Sequence, residues 1–352
     1  LILGENGAGK STLLDALCFG LYGRGFRNLK KELLINSVNE KALLVETEFS
    51  VGKKSYKVIR GAKPNIFEIY LDGNLLNQNA TVKDYQEQYP LTKEIFKHPL
   101  SLWYGNRNAK PIKNLHKSLI RLFKRSGDKM PILVVYNMPN RDIGQYSKGG
   151  AKTQEEYLQF VKDFATGIGD HSPIVIFEPD AIPHLTHLSE TEAKDRILLI
   201  KKALAILTET NALVYIDVGH SNWLTPEEVA QYLNKVTNPK VRGFSVNVSN
   251  YRTTIESAKW ANKICELRVN DYYVVDTSRN GNGPHGNEWC NPPGRSLGNP
   301  PTCDTGLEKC DAFLWIKIPG ESDGKGNGGP RAGRMWGEMG EQLVRNTEWI
   351  KT

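Results

Sequence analysis

The stretch IVIFEPD, residues 174–180, decides the fold: four apolar residues in a row end in two carboxylates around a proline. A run so short and so uniformly apolar reads as a strand covered on both faces, the kind found in parallel sheets flanked by helices. The same pattern returns on either side. Residues 132–136 run into NMPNRD, ending at Asp142, and residues 213–216 run into Asp217, Gly219 and His220. Residues 243–246 form another apolar run, residues 272–275 end in Asp276, and residues 313–316 lead through Lys317 and Glu321 to Asp323. Amphipathic stretches at 154–164, 190–207, 226–236 and 254–267 predict helices between these strands. Repeated strand, helix, strand units imply an α/β fold with a parallel sheet, closed as a barrel or left as a doubly wound sheet.

In a parallel barrel all these strand ends lie at the C-terminal mouth, where functional groups converge. A single aspartate there is as well explained by a helix cap or a turn. Asp142, Asp180, Asp217, Asp276 and Asp323 at matching positions predict instead a cleft lined with carboxylates. Clustered carboxylates repel, so one is held protonated while another stays ionised, which is what general acid catalysis needs.

Bulk properties narrow the setting. The chain has 352 residues, 39% of them hydrophobic, enough to bury a core. Its formal charge of +7 comes from 46 basic and 39 acidic residues that are interspersed rather than blocked, which reads as a solvated surface and not a nucleic-acid interface. No stretch approaches the roughly 20 apolar residues that span a bilayer. The opening residues, from Leu1, lack the features of a signal peptide. The five cysteines, Cys18, Cys265, Cys290, Cys303 and Cys310, make no dense disulfide framework, although Cys303 and Cys310 are near enough in sequence to close a small loop.

A second signal stands at the N-terminus. Residues 4–11, GENGAGKS, fit G-x-x-x-x-G-K-[ST] between an apolar start and a predicted helix at residues 10–22. Backbone N–H groups around Gly4, Asn6, Gly7 and Gly9 would approach phosphates, Lys10 would neutralise the terminal ones, and Ser11 would ligate magnesium, with Thr12 completing the candidate nucleotide-binding set. Strands are predicted at 42–49, 55–60 and 66–71, with a turn at 72–74. With LILGENGAGKSTLLDAL, CFGLYGRGFR, LLVETEF and FEIYLDGNLLNQ, residues 1–88 resemble the N-terminal P-loop half-lobe of the SMC-like ATPases of DNA double-strand-break repair, especially a phage recombination-endonuclease subunit. The glutamine loop, signature segment, Walker B carboxylates and coiled coil of that family are not found. The expectation is therefore weak ATP and magnesium binding without turnover.

From about residue 89 onward the chain resembles glycoside hydrolase family 6, the cellulase family of endoglucanases and cellobiohydrolases. The likeness is carried by ILVVYNMPNRDIGQYSKGGA, VIFEPDAIPHL, VYIDVGHSNWL, GFSVNVSNY, VVDTSRNGNGP, GNEWCNPPGR, DAFLWIKIPGESDG and RAGRMW. It implies a distorted parallel β/α barrel over residues 89–352, with about one strand fewer than the eight of a TIM barrel, and inverting hydrolysis of β-1,4-glucan. It implies that Asp180 is the general acid, that Asp142 raises its pKa and relays a proton, that Asp323 is the candidate base and that Asp217 supports substrate and field. Acid and base in such enzymes stand roughly 6.5 to 9.5 Å apart. Tyr136 would lie beneath the distorting ring. Trp103, Trp223 and Trp289 match platform positions, and His220, Asn247, Lys317 and Glu321 match polar contacts. No cofactor is expected for the hydrolysis, and the implied protein is a secreted monomer without membrane or nucleic-acid partners.

Three departures from the family pattern carry expectations of their own. Ile143 and Leu188 stand where the family pairs two cysteines, and a buried contact between them would replace that bond. The usual partner of Cys290 is Lys325. Lys148 falls where the family has a serine that holds the attacking water, with Ser147 one place before it, and a cation there would lower the pKa of Asp142. The short segment between residues 279 and 323 lacks the insertions that roof a tunnel, which favours endo action. The alternatives are a nucleotide- and DNA-binding ATPase fragment and an inactive carbohydrate-binding remnant.

Overall fold

The computed structural model describes residues 10–27, 34, 43–52, 54–62, 66–71, 74–78, 86, 88–106, 114–144 and 146–351. The chain divides into two compact units, Leu1–Tyr85 and Gln86–Thr352. In the first, helix α1 (Lys10–Tyr22) accompanies a four-stranded antiparallel meander of β1 (Leu43–Val51), β2 (Lys54–Ala62), β3 (Ile66–Leu71) and β4 (Asn74–Gln78). Asp15 takes the Arg27 N–H at 3.0 Å and its guanidinium Nε at 2.6 Å, and Arg60 Nε donates to the Gly20 carbonyl at 2.9 Å, tying helix to sheet. Lys10, Ser11 and Thr12 form the start of α1. The expected phosphate loop, Gly4, Asn6, Gly7 and Gly9 included, lies outside the described residues.

In the second unit the described residues form a seven-stranded parallel sheet whose order follows the sequence. Its elements are β5 (Leu102–Tyr104), α2 (Leu115–Ser126), β6 (Ile132–Val135), α3 (Gln154–Ile168), β7 (Ile174–Phe177), α4 (Glu190–Leu207), β8 (Leu213–Asp217), α5 (Pro226–Val236), β9 (Gly243–Val246), α6 (Thr254–Leu267), β10 (Tyr272–Asp276), β11 (Cys310–Leu314), α7 (Gly337–Arg345) and α8 (Glu348–Lys351). Strands β6, β7 and β9 are buried at every position, which is why β6 and β7 read as unbroken apolar runs, while β9 carries one buried serine, Ser245. The helices start where polar side chains satisfy free backbone donors. Ser189 and Glu192 form a reciprocal capping box on α4, and Thr225 and Glu228 form another on α5.

Alternate side chains of the strands build two cores. Val175, Phe177, Ile216, Phe244 and Val275 face the helices. Ile174, Ile176, Tyr215, Val274 and Leu314 face the barrel axis, with Trp103 and Tyr136 packed on them. Each such side chain contributes about 1.5–3 kcal/mol by leaving water. The outer strands are not laddered to each other. They are bridged where the Ser101 N–H donates to the Trp315 carbonyl at 3.3 Å and the Trp103 indole N–H donates to the Ile316 carbonyl at 2.9 Å. This is the distorted barrel the resemblance implied.

The sequence reading misplaced some elements. The last strand was expected at 313–316 and lies at Cys310–Leu314, where a register shift between Tyr273 and Val274 moves its pairing with β10. β5, α2 and α7 were not expected at all. Asn74, expected in a turn, opens β4.

Candidate active site

The central carboxylates arrive from neighbouring strand ends. After β7 the chain turns through Glu178 and Asp180, both left-handed at φ 48° and 68°. That backbone is strained for a residue with a side chain. It is held because the Asp180 N–H donates to Asp217 Oδ1, at the end of β8, at 2.8 Å. The Gly219 N–H reaches the same oxygen at 3.1 Å, and the Ser245 hydroxyl of β9 donates to Oδ2 at 3.1 Å. Burial outweighs these donors and leaves the Asp217 carboxyl at about 7. Asp180 keeps part of its surface open to the cleft. Burial, then the charges of Asp217 and Asp142, push its carboxyl well above the usual range.

Glu178 works from underneath. Its buried carboxylate accepts the N–H groups of Asn137 and Met138 at 3.0 Å, pinning the loop that follows β6. Burial pushes it up to about 7. The pinned loop carries Tyr136 and Asp142. Asp142, at φ 60°, takes the Ser147 N–H at 2.6 Å. Its carboxyl is raised, by burial first, against the Ser147 N–H and the Arg141 charge. The lowering expected from Lys148 does not occur, because Lys148 is exposed to solvent and burial governs. Tyr136 has the Arg141 guanidinium 4.5 Å over its ring and stands at 5.4 Å, nearly perpendicular, from the Trp103 ring. Burial, then Asp180 and Asp142, drive its hydroxyl far above its usual value.

Asp323 has the opposite surroundings. Its Oδ2 accepts Arg279 Nη1 at 2.9 Å, the Tyr251 hydroxyl at 3.1 Å and the Asn291 N–H at 3.2 Å, while Lys317 Nζ stands 3.5 Å from Oδ1. Burial alone would raise this carboxyl, but the charges of Arg279 and Lys317 outweigh it and hold it below the usual range. Arg279 is fully buried, lies 4.5 Å over the Tyr251 ring and donates to the Ser249 carbonyl at 2.6 Å. Asp276, at the end of β10, is a bracket: its oxygens accept the N–H groups of Ser249, Ser278, Ile316 and Lys317.

A cleft of about 330 Å³ opens over these strand ends. Of the residues singled out in the sequence, Asp142, Asp180, His220, Trp223 and Trp289 line it. Trp223 stands between His184 at 5.3 Å and His220 at 5.5 Å, and Trp289, 42% exposed, meets Tyr146 at 5.8 Å. Burial, then the Arg252 charge, lowers His220 to about 4, so its imidazole is neutral at neutral pH. Asp217, Asp323 and Lys317 are buried and are not among the residues that line the cleft. Asn247 has its side chain committed to backbone: Nδ2 donates to the Asp276 carbonyl at 2.8 Å and Oδ1 accepts the Arg252 N–H at 3.0 Å. Glu321 sits in a turn bridged to Met335. Ser147 reaches Asp142 through its backbone rather than its hydroxyl. Glu178, Tyr251, Arg252 and Arg279 were not singled out, although a carboxylate closing an all-apolar run, as Glu178 does, is itself a sign of a buried charge. Among the described residues no group of three or more His, Cys, Asp and Glu side chains is placed to hold a metal ion.

The family model for glycosyl hydrolases family 6 matches residues 72–347. The chain belongs to that family. Endoglucanase A of Cellulomonas fimi is 45% identical over 221 residues, 63% of this chain and 48% of that protein, so the chain spans about half of that relative's length. Endoglucanase 1 of Streptomyces sp. (strain KSM-9) is 39% identical over 239 residues, 66% of each chain. The structure of the endoglucanase Cel6 from Mycobacterium tuberculosis, in complex with methyl-cellobiosyl-4-deoxy-4-thio-β-D-cellobioside, superposes with a TM-score of 0.71 at 37% identity, covering 76% of this chain and 94% of that one. At the other end, exonuclease subunit 2 of Enterobacteria phage T4 is 52% identical over 89 residues, 25% of this chain and 16% of that protein.

In this family 6 chain all five cysteines are free. Cys303 is exposed and Cys310 buried, so the small loop between them is not closed. Ile143 is 38% exposed and lies outside the core that Leu188 packs against, so no buried Ile143–Leu188 contact replaces the family's bond.

Proposed function

We propose that residues 89–352 hydrolyse β-1,4-glucosidic bonds of cellulose or a related β-glucan with inversion at the anomeric carbon. One observation carries this reading: within one site Asp180 is driven toward its protonated form while Asp323 is kept ionised by Arg279 and Lys317. Asp180, open to the cleft, donates its proton to the glycosidic oxygen as the bond to the anomeric carbon breaks. Water attacks that carbon from the other face. Asp142 keeps the acid's pKa high and relays the water's proton toward Asp323, which serves as the site's standing negative charge and final acceptor. Asp217 fixes the strained backbone of Asp180. Tyr136 supports the distorted ring, with Trp103 braced against its edge. Trp223 and Trp289 offer faces to the apolar sides of sugar rings, and neutral His220 offers a hydrogen bond to their edges. Lys317 acts through Asp323, and Asn247 and Glu321 hold the loops that frame the cleft.

Endo action belongs to this proposal. It is supported by the endoglucanase relatives and by the short segment between residues 279 and 323. Secretion is proposed on the family likeness. The nucleotide-binding reading of Lys10, Ser11 and Thr12 rests on the 89-residue likeness to the phage exonuclease subunit, and the division at residues 88 and 89 goes with it. The test of the main reading is release of reducing ends from carboxymethyl cellulose, abolished by Asp180→Ala. Equal activity in the variant would remove Asp180 from its role.

A further inference from the structure

We propose that Asn291 is a positioning residue for this reaction: it joins the segment after Trp289 to the Asp323 loop, and so sets where the Asp323 carboxylate stands against its cations. The inference rests on the hydrolytic reading above.

Asn291 is 4% exposed and left-handed at φ 51°, a conformation asparagine tolerates better than most residues. It grips Asp323 at both ends. Its Oδ1 accepts the Asp323 N–H at 2.8 Å, and its own N–H donates to Asp323 Oδ2 at 3.2 Å. Its Nδ2 lies 2.8 Å from the Gly324 carbonyl, 3.0 Å from the Gly326 carbonyl and 3.2 Å from the Ser322 hydroxyl. One side chain thus holds the loop on both sides of Asp323. The loop needs holding, because Gly320, Gly324, Gly326, Gly328 and Gly329 give it little stiffness of its own.

The neighbouring residue shows how close the two segments lie. A Cβ built on Gly326 would stand 2.7 Å from Cys290 Sγ, so the two segments touch at sulfur. The adjacent residue is Lys325, and Cys290 is free. Hydrogen bonds from Asn291 join them.

The groups facing Asp323 are Arg279, Lys317, Tyr251 and Cys290, with Asp276 accepting the Lys317 N–H from behind. A carboxylate released from the grip moves away from both cations. Its pKa then rises toward the ordinary range.

The experiment compares hydrolysis of carboxymethyl cellulose across pH for wild type, Asn291→Ala, and Asn291→Ala combined with Lys325→Cys, the last both oxidised and reduced. Asn291→Ala is expected to lower kcat by about 10²-fold with little change in KM, and to raise the Asp323 pKa, read by ¹³C NMR, by about one unit. The oxidised double variant, its loop tied through Cys290, is expected to recover kcat and the wild-type Asp323 pKa, and reduction is expected to undo the recovery. Wild-type kcat and Asp323 pKa in Asn291→Ala overturn the proposal. So does a loss of kcat with an unmoved Asp323 pKa and no recovery on oxidation, which is what a purely structural role gives. If Asn291→Ala does not fold, the oxidised double variant decides: a folded, active protein supports the proposal and an inactive one overturns it. If the wild type hydrolyses nothing, the hydrolytic reading falls. The Asp323 pKa measured by ¹³C NMR then judges the grip alone, a rise in Asn291→Ala supporting it and equality with wild type overturning it.

Discussion

Asp180, which lines the cleft, and Asp323, buried outside its lining, hold the same functional group in opposite states. Around Asp180 the nearest charges are the carboxylates of Asp217 and Asp142, and its own N–H is given away to Asp217. Among the described residues the neighbours that act on its carboxyl all disfavour a negative charge. Around Asp323 four donors converge, two of them the cations Arg279 and Lys317. Both sites are shaped by burial, which alone would raise either carboxyl. The sign of the result is decided by what the loops bring in: more carboxylates from β6 and β8, or cations from beyond β10 and β11. One fold supplies an acid and a fixed anion by this difference alone.

The comparison breaks most visibly at Asp180. Asp180→Ala removes the only proposed proton donor, and kcat is expected to fall by about 10²–10⁴-fold, with little change in the melting curve. A variant retaining wild-type kcat would place the acid elsewhere. At Asp323 the larger effect is on stability. Asp323→Asn leaves Arg279, which is fully buried, without its counter-charge, and urea unfolding at pH 7 should show a loss of about 3–5 kcal/mol. The folded pKa of Asp323 is depressed, so its contribution is present above the unfolded value near 4 and is lost as pH falls through the folded one. The gap between variant and wild type should therefore narrow at pH 3. A gap that is the same at both pH values contradicts the ion pair.

A smaller effect sharpens the contrast from the Asp180 side. Asp217 has a folded pKa raised to about 7, so its stabilisation is full below the unfolded value and is lost as pH rises through 7. Asp217→Asn, uncharged at any pH, escapes that loss. Between pH 5 and 8 its stability should fall less than that of wild type, by on the order of 2 kcal/mol. Parallel curves would show that Asp217 is ionised throughout, like Asp323.

How much of this was legible in the sequence follows the same line. Buried strands β6 and β7 announce themselves as four apolar residues each, and the carboxylates that follow β6, β7, β8 and β10 were readable as a set. β5 is only three residues long, with Leu102 exposed, and carries no such run. α2 does place Leu115, Leu119 and Phe123 at helical spacing, but among enough basic residues to pass for surface. In the site, carboxylates were easier to find than the cations that oppose them. Arg279 looks like any arginine in a polar loop, and only the tertiary fold buries it against Asp323 and Tyr251. The Lys148 expectation failed for a related reason: adjacency in sequence suggested a cation beside Asp142, while its pKa is set by burial that no local pattern displays.

The path of the attacking water decides between inversion and retention. Proton NMR of cellohexaose during the first minutes of hydrolysis reads the configuration of the newly formed anomeric centre before mutarotation. The α-anomer appearing first is the predicted result. The β-anomer appearing first would mean retention, and with it a nucleophilic carboxylate in place of the fixed anion and water described for Asp323.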